Sequence, residues 1–463
     1  MRPRPVPPAY APAAGRLPGI AVGPRLRARR ERHGQGRRPA QELTRPRPST
    51  QPENRVFRIR HAIQSDVGIL LKLAKMVHFI NLPADKEAIA EKIRRSRASF
   101  TVRGETPPVD ANGAYTGPAG HSPQYMFVVE DARSGSPIGT SALIAQMGSP
   151  GNPNVALTLR KREFFSKDLQ TGATHVTAQL LLEEDGPSEI GGLIVGPTFR
   201  GHGVGKMLSL VRFHYIGLHR KRFKDRLLAE MMAPITPDGR NLFWDHFGRK
   251  FINLSYVEAD TFCMRSREFM TSLLPREEIY LTLLPPEARA VIGQVGADTL
   301  PARRMLERLG FVYRDRIDPF DGGPNLEAKT DDIPLIRDTR RVDFAGAAPE
   351  GKAKGNAIVS HEDPANSERP FLAVMTPYTE ASGGKSIKLP KQAIELLGVQ
   401  PGARLGFTPL DSYGAIAPKA AAKSAASNNG AAAKPGKGAT KKQASKPAKG
   451  GKKAKPAKRK AKA

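Results

Sequence analysis

Residues 188–218 constrain this chain more than any other stretch. Ser188-Glu189-Ile190-Gly191-Gly192-Leu193-Ile194-Val195 reads as a short buried strand, and Arg200-Gly201-His202-Gly203-Val204-Gly205 as a glycine-rich turn directly behind it. Val204, Met207, Leu208, Val211, Tyr215 and Leu218 then recur at spacings of three and four, which makes one apolar stripe of a helix. A strand feeding a glycine-rich turn at a helix start is a place to put phosphates. The N–H groups of the turn are free, the helix dipole favours anions, and glycine lets a ligand come close. Tight strand–helix turns without a ligand share this pattern, so the rest of the chain has to decide.

Charge looks at first like a second signal. The chain of 463 residues carries a net +30, which suggests a nucleic-acid binder until the charge is located. Residues 1–50 hold twelve arginines against Glu31 and Glu42, and residues 415–463 hold fourteen lysines and Arg459 with no acid. The body between them is near neutral, at +5. Cys263 is the only cysteine, so an intrachain disulfide and a CxxC metal site are excluded, and a reducing cytoplasm fits. No apolar run approaches membrane-spanning length, and no secretory signal stands out at the N-terminus. The histidines carry no ligand pattern: His214 and His219 are five apart on one helix and share no face.

Taken in order, residues 1–54 are Pro/Arg-rich without periodicity and read as a disordered arm, either a nucleic-acid arm or an appended segment without function. Order begins with a strand at Arg55–Arg60. A helix follows with Ser65 as N-cap and Asp66 favouring its positive end, and a second starts near Asp85 with Ile89 and Ile93 inward. Strands are expected at Gln124–Glu130, Pro137–Ile144, Asn154–Arg160, Val176–Leu182 and Arg226–Met232. The fold class is therefore mixed α/β, of the α+β kind.

The pattern Arg-x-x-Gly-x-Gly is similar to the pyrophosphate loop of GNAT-type N-acyltransferases, and the element order suits their mixed sheet with flanking helices. A closer resemblance begins at Asn241. Leu242–Phe251, Ile292-Gly293-Gln294-Val295, Pro301-Ala302-Arg303, Leu309-Gly310-Phe311 and Asp318-Pro319-Phe320-Asp321-Gly322-Gly323-Pro324 resemble segments of the bacterial arginine N-succinyltransferases. Phe57–Leu73 and Ser188-Glu189 with Leu193 agree, so the resemblance spans roughly residues 56–410. It implies an acyltransferase that moves a succinyl group from succinyl-CoA, as co-substrate, to the α-amino group of L-arginine in arginine catabolism, with no permanently bound cofactor. Homo-oligomerisation is compatible with it.

The chemistry then asks for a base to deprotonate the amine, donors for the thioester oxygen, and a proton for the leaving thiolate. Arg200, Gly201, Gly203 and Gly205 are the candidate phosphate loop, and the resemblance makes Leu193 an acyl-CoA contact. Glu189 could be the base, or a surface or ion-paired glutamate. The family's proton donor is a histidine directly after Ile-Gly-Gln-Val; that position is Gly296 here, and no histidine follows before His361. His246 and Tyr313 are the nearest substitutes. Asp318, Asp321 and Glu327 could meet a guanidinium, although Asp321 could equally bond its own backbone in a turn. Arg303 and Arg304, on a helix with Thr299 as N-cap and Gly310 as stop, could bind a carboxylate or simply be solvated.

Four stretches result: the arm at 1–54, an acyltransferase core with a family-specific extension at 55–345, a linker and small β-rich C-terminal subdomain at 346–414, and a disordered Lys/Ala/Pro-rich tail at 415–463. Within the third, residues 346–370 read as a loop. Ser386–Leu389, Pro390–Leu397 and Val399–Phe407 then read as strand, helix, and turn with strand, a cadence similar also to swapped-hairpin transcription factors. The tail would bind polyphosphate backbones without sequence preference. Two alternatives stand beside the main reading: an acyl-CoA N-acyltransferase with another amine acceptor, and a nucleic-acid-associated protein with a degenerate enzyme body.

Overall fold

The computed structural model describes residues 56–413, apart from 77–81, 103–121, 264–265, 350, 352, 364, 367 and 412. The arm and the tail expected at the two ends lie outside the described residues.

Alternation, turns and caps lay out the first half. β1 (Phe57–His61) leads through a short 3-10 turn to α1 (Val67–Lys75), and α2 (Lys86–Thr101) follows with the Asp85 carboxylate accepting the Ala88 N–H at 2.7 Å. Asp66 serves differently from the expectation. Both its oxygens bind the Arg60 guanidinium, at 2.7 and 2.8 Å, and Arg60 also holds Glu130 at 2.5 Å, so it is a buried ion-pair partner more than a dipole charge. β2 (Gln124–Asp131), β3 (Pro137–Ile144), β4 (Asn154–Ser166), β5 (Thr171–Glu183), β6 (Ser188–Val195), α3 (Val204–Leu218) and β7 (Arg226–Glu230) come next. β4 and β5 outrun their apolar cores and form a long paired hairpin whose far half is exposed.

A helical lobe then intervenes: α4 (Leu242–His246), α5 (Gly248–Phe251), α6 (Tyr256–Cys263), α7 (Glu268–Leu273), the short β8 (Ile279–Tyr280) and α8 (Pro286–Val291). Its core is Phe243, Trp244, Phe247, Phe269 and Phe320, packed on Val155, Leu157 and Ala178 of the hairpin. Then come α9 (Leu300–Arg308), β9 (Val312–Ile317), β10 (Pro324–Lys329) and α10 (Pro334–Arg337). The chain closes with β11 (Arg340–Ala347), β12 (Gly355–Glu362), β13 (Phe371–Ala381), β14 (Ser386–Leu389), α11 (Lys391–Leu397) and β15 (Arg404–Pro409).

The strands hydrogen-bond in the order β12-β15-β11-β14-β13-β1-β2-β3-β6-β7-β10-β9-β4-β5-β8, and β12 also pairs with β13. That extra pairing closes the last five strands into a ring around Val342, Phe344, Val359, Leu389, Leu405 and Phe407. The stretch 346–370 is thus no simple loop: it contains β12, whose residues 357–360 are buried. Its few apolar residues, Ala357-Ile358-Val359, are enough because both neighbouring strands supply the rest of the wall.

α1 and α2 cover one face of the main sheet, with Leu70, Ile89 and Ile93 inward. α3 covers the other and is buried nearly all round, not along one stripe. Its back lies under the C-terminal ring: buried His214 bonds Thr408 Oγ1 at 2.6 Å through Nδ1 and Ser360 Oγ at 2.7 Å through Nε2. No helix of the described residues is long and apolar enough to cross a membrane.

Candidate active site

The site opens where two strands part. β6 and β7 run parallel but pair only at Ser188–Leu227 and Glu189–Leu228. Beyond that point β6 stays bonded to β3 while β7 stays bonded to β10. β6 also carries one extra residue against β3, at Gly192-Leu193, with Gly192 at φ +59°. Such a bulge bends a strand away from its partner and frees backbone groups. Leu193 sits at this bend, half-buried against the core beneath α3. Arg212, buried on α3, donates to Gly191 O at 3.3 Å and to Ser209 Oγ at 3.0 Å, which pins the bend from behind. Burial pulls its pKa down to about 10, with Glu189 opposing.

At the far end of β6 lies the glycine turn. Gly201 and Gly203 hold φ +84° and +79°, and nothing lies within 4 Å of a Cβ built on either. A side chain there is strained by the backbone and would project into open space. The N–H groups of residues 201–206 donate to no backbone carbonyl among the described residues; the first such bond is Met207 N to Gly203 O at 3.0 Å. Backbone N–H groups without carbonyl partners at the positive end of a 15-residue helix are the arrangement that favours an anion. Arg200 is exposed at the rim of the turn.

Glu189 stands at the parting point, 1 % exposed. It interacts electrostatically with Lys92 of α2, Arg212, Glu230 and Arg267. Lys92, Gln124, Gly191 and Gly192 line a small cavity with it. Burial lowers the Lys92 pKa against the pull of Glu189. The Glu189 carboxylate is therefore neither a surface group nor part of a simple ion pair.

The other proposed side chains divide. Asp318 and Asp321 lie in this cluster, with Glu230 and Arg267 beside them. Burial raises the Asp318 carboxyl, although its Oδ1 accepts the Phe320 N–H at 2.6 Å. Asp321 accepts Ala233 N–H at 2.9 Å and Gly323 N–H at 2.7 Å, one on each oxygen, so its task is to clasp the end of β7 to its own turn. Burial and Asp318 still push it up to about 7. Glu327 does not join them: it is buried on β10 and bound to Arg316 at 2.9 Å. Arg303 is taken by Glu307 along its own helix at 2.8 Å, and Arg304 is exposed. Thr299 precedes α9 without a side-chain cap bond, while Gly310 ends it at φ +99°.

His246 ends α4, half-buried, and no hydrogen bond or ion pair joins it to this cluster. The Tyr313 hydroxyl lies 3.0 Å from a Cβ built on Gly293, beside the Ile-Gly-Gln-Val segment, and burial raises its phenol above the ordinary range. Gly296 itself adjoins the exit of β7, its N–H donating to Met232 O at 3.2 Å. Glu230, Arg267, Lys92 and Arg212 were not singled out from sequence.

A mixed sheet that parts beside a buried carboxylate, with a glycine turn and a helix start beyond the same strand, is the architecture of a GNAT-type N-acyltransferase. The family profile described as arginine N-succinyltransferase beta subunit matches residues 57–335, more than half of the chain. Arginine N-succinyltransferases of Escherichia coli and Shigella flexneri are 33 % identical over 325 residues, 70 % of this chain and 90 % of theirs. The one from Citrobacter koseri is 33 % identical over 308 residues, 66 % of this chain and 85 % of its own. The structure of arginine/ornithine succinyltransferase subunit AI from Pseudomonas aeruginosa superposes with a TM-score of 0.63 at 28 % identity, covering 77 % of this chain and 99 % of that one. The chain belongs to the arginine N-succinyltransferase family.

Proposed function

We propose that the protein transfers the succinyl group of succinyl-CoA to the α-amino group of L-arginine. The observation that carries this reading is the placement of Glu189 at the parting of β6 and β7, with the unused N–H donors of residues 201–206 at the far end of the same strand. A thioester whose pyrophosphate rests on those donors reaches back along β6 past Leu193 to the carboxylate. Glu189 then takes a proton from the substrate ammonium, and the freed amine attacks the thioester carbonyl.

The substrates bring two carboxylates and a guanidinium. Arg267 and Lys92 offer the positive charge for the former, and Asp318, with one oxygen outside its turn bonds, the negative charge for the latter. Burial works against the charge of Arg267, but its acidic neighbours outweigh that and hold it charged. The buried Cys263, pushed up to about 11 by burial, stays a thiol and not a thiolate at neutral pH.

The test is CoA release and product mass with purified protein, offering succinyl-CoA and acetyl-CoA against L-arginine, L-ornithine and L-lysine. Succinyl-CoA with L-arginine should give the highest kcat/KM. Because the resemblance implies an imidazole where this chain has Gly296, a second reading keeps the chemistry and changes the acceptor; preference for another amine would favour it.

A further inference from the structure

The resemblance implies a proton-donating imidazole at the position of Gly296, where this chain has no side chain to give a proton, yet a CoA thiolate must still leave. A Cβ built on Gly296 lies 3.6 Å from Ala233 O and 3.8 Å from Pro234 Cα, so this position flanks the exit of β7 and has room for a side chain. The last residue of β7 is Glu230. Leu227, Ala229 and Met231 point into the core beneath α3, so strand alternation turns Glu230 to the opposite face, which carries Glu189. Across the ladder Glu230 stands opposite Asn325, which is 2 % exposed and whose Oδ1 has no hydrogen-bond partner among the described residues. Asn325 therefore leaves a polar acceptor beside Glu230 with no protein donor, a place where a water or a ligand group can bind.

We propose that Glu230 is the general acid of this enzyme and delivers its proton to the sulfur of the departing CoA, in place of the missing imidazole. The proposal rests on the succinyl-transfer reading above. The charged groups facing Glu230 are Glu189 from β6, Asp318 and Asp321 from the β9–β10 turn, and Arg267 from between α6 and α7. Burial, then Glu189 and Asp318, raise its pKa well above the usual carboxylate range, with Arg267 opposing; Asp321 acts in the same sense as the other acids. A carboxyl held in its acid form can donate at neutral pH.

The substrate ammonium loses two protons in all. Glu189 takes the first and passes it to solvent, and the amine lone pair forms the C–N bond. When the tetrahedral adduct collapses the C–S bond breaks, its electron pair goes to sulfur, and the Glu230 proton follows. The second nitrogen proton, taken up by Glu189, restores Glu230 across the cleft.

Wild type, Glu230→Gln, Gly296→His and the double variant should be compared with succinyl-CoA and L-arginine. Glu230→Gln should lower kcat by about 10²–10⁴-fold, with little change in the KM for arginine. The fall in turnover on the alkaline side, where the acid ionises, should vanish in it. Adding Gly296→His to Glu230→Gln should recover at least about tenfold of kcat, since it restores the family's donor within a known single-acid effect. A raised KM with kcat kept would show that Glu230 holds the guanidinium, and would overturn the proposal, as would an unaltered enzyme. If Glu230→Gln fails to fold, Gly296→His alone decides: its alkaline limb should move while turnover stays equal or rises, and an unmoved limb overturns the idea. A wild type inert with this substrate pair removes the succinyl-transfer reading itself, and the proposal with it.

Discussion

The two ends of the cleft are made of different material. At the loop end the proposed ligand contact is the backbone of six consecutive residues, and a glycine turn with a helix behind it is all that it requires. At the acceptor end the proposed contacts are side chains from α2, β6, β7, the α6–α7 connection and the β9–β10 turn. The first end is a local property of the chain, strong in any setting that forms the helix. The second exists only when distant segments have folded together, because its charges act through a space from which water is largely removed. On the proposed reading, selectivity belongs to the part of the site that is hardest to assemble.

That contrast can be broken at either end. The largest effect should come from Glu189→Gln, which removes the base and should lower kcat by about 10²–10⁴-fold while leaving CoA affinity by calorimetry unchanged. A parallel loss of CoA affinity would show that the two ends are not separable. Next is Gly203→Glu. A side chain in the left-handed region costs about 1–2 kcal/mol, and a carboxylate competes for the N–H groups of the turn, so CoA affinity should fall by about 100-fold or more. The melting transition should persist, since nothing packs on that position.

Asp321→Asn should act on stability more than on chemistry. The amide keeps one acceptor but turns its NH₂ toward a backbone N–H, which costs about 1–3 kcal/mol, read as a lower denaturant midpoint. A normal midpoint with failed arginine binding would return Asp321 to the substrate. The smallest effect on the enzyme should come from deleting residues 415–463, with fifteen basic groups and no acid. Turnover and melting temperature should not change, whereas DNA retention, falling with a salt slope of about −0.9 per phosphate engaged, should disappear. Retention that survives the deletion would place a nucleic-acid surface on the body.

What could be read from sequence follows the same division. Pro137–Ile144 was legible to the residue because turns bound it on both sides, and the strand, glycine turn and helix of 188–218 because they are contiguous. β12 was not, since only three adjacent apolar residues mark it and its partners lie elsewhere in the chain. Glu189 could be suspected from its place on a buried strand. Lys92 reads as the polar side of a helix, Glu230 as an ordinary strand end and Arg267 as a loop charge; only tertiary folding brings them to Glu189. Glu327 illustrates the converse, grouped with Asp318 by sequence and given to Arg316 by the sheet.

The pairing of β1 with β13 has a consequence for synthesis. β1 is the first described strand, and its outer edge is covered by Leu372 and Ala373, more than three hundred residues later in the chain. While the ribosome is making everything between them, the growing polypeptide leaves the outer border of β1 uncovered, and such borders recruit other strands. A transcript cut short before residue 371 would therefore release a product that is enzymatically almost whole in its parts list and yet adhesive, a natural client for chaperones and proteases.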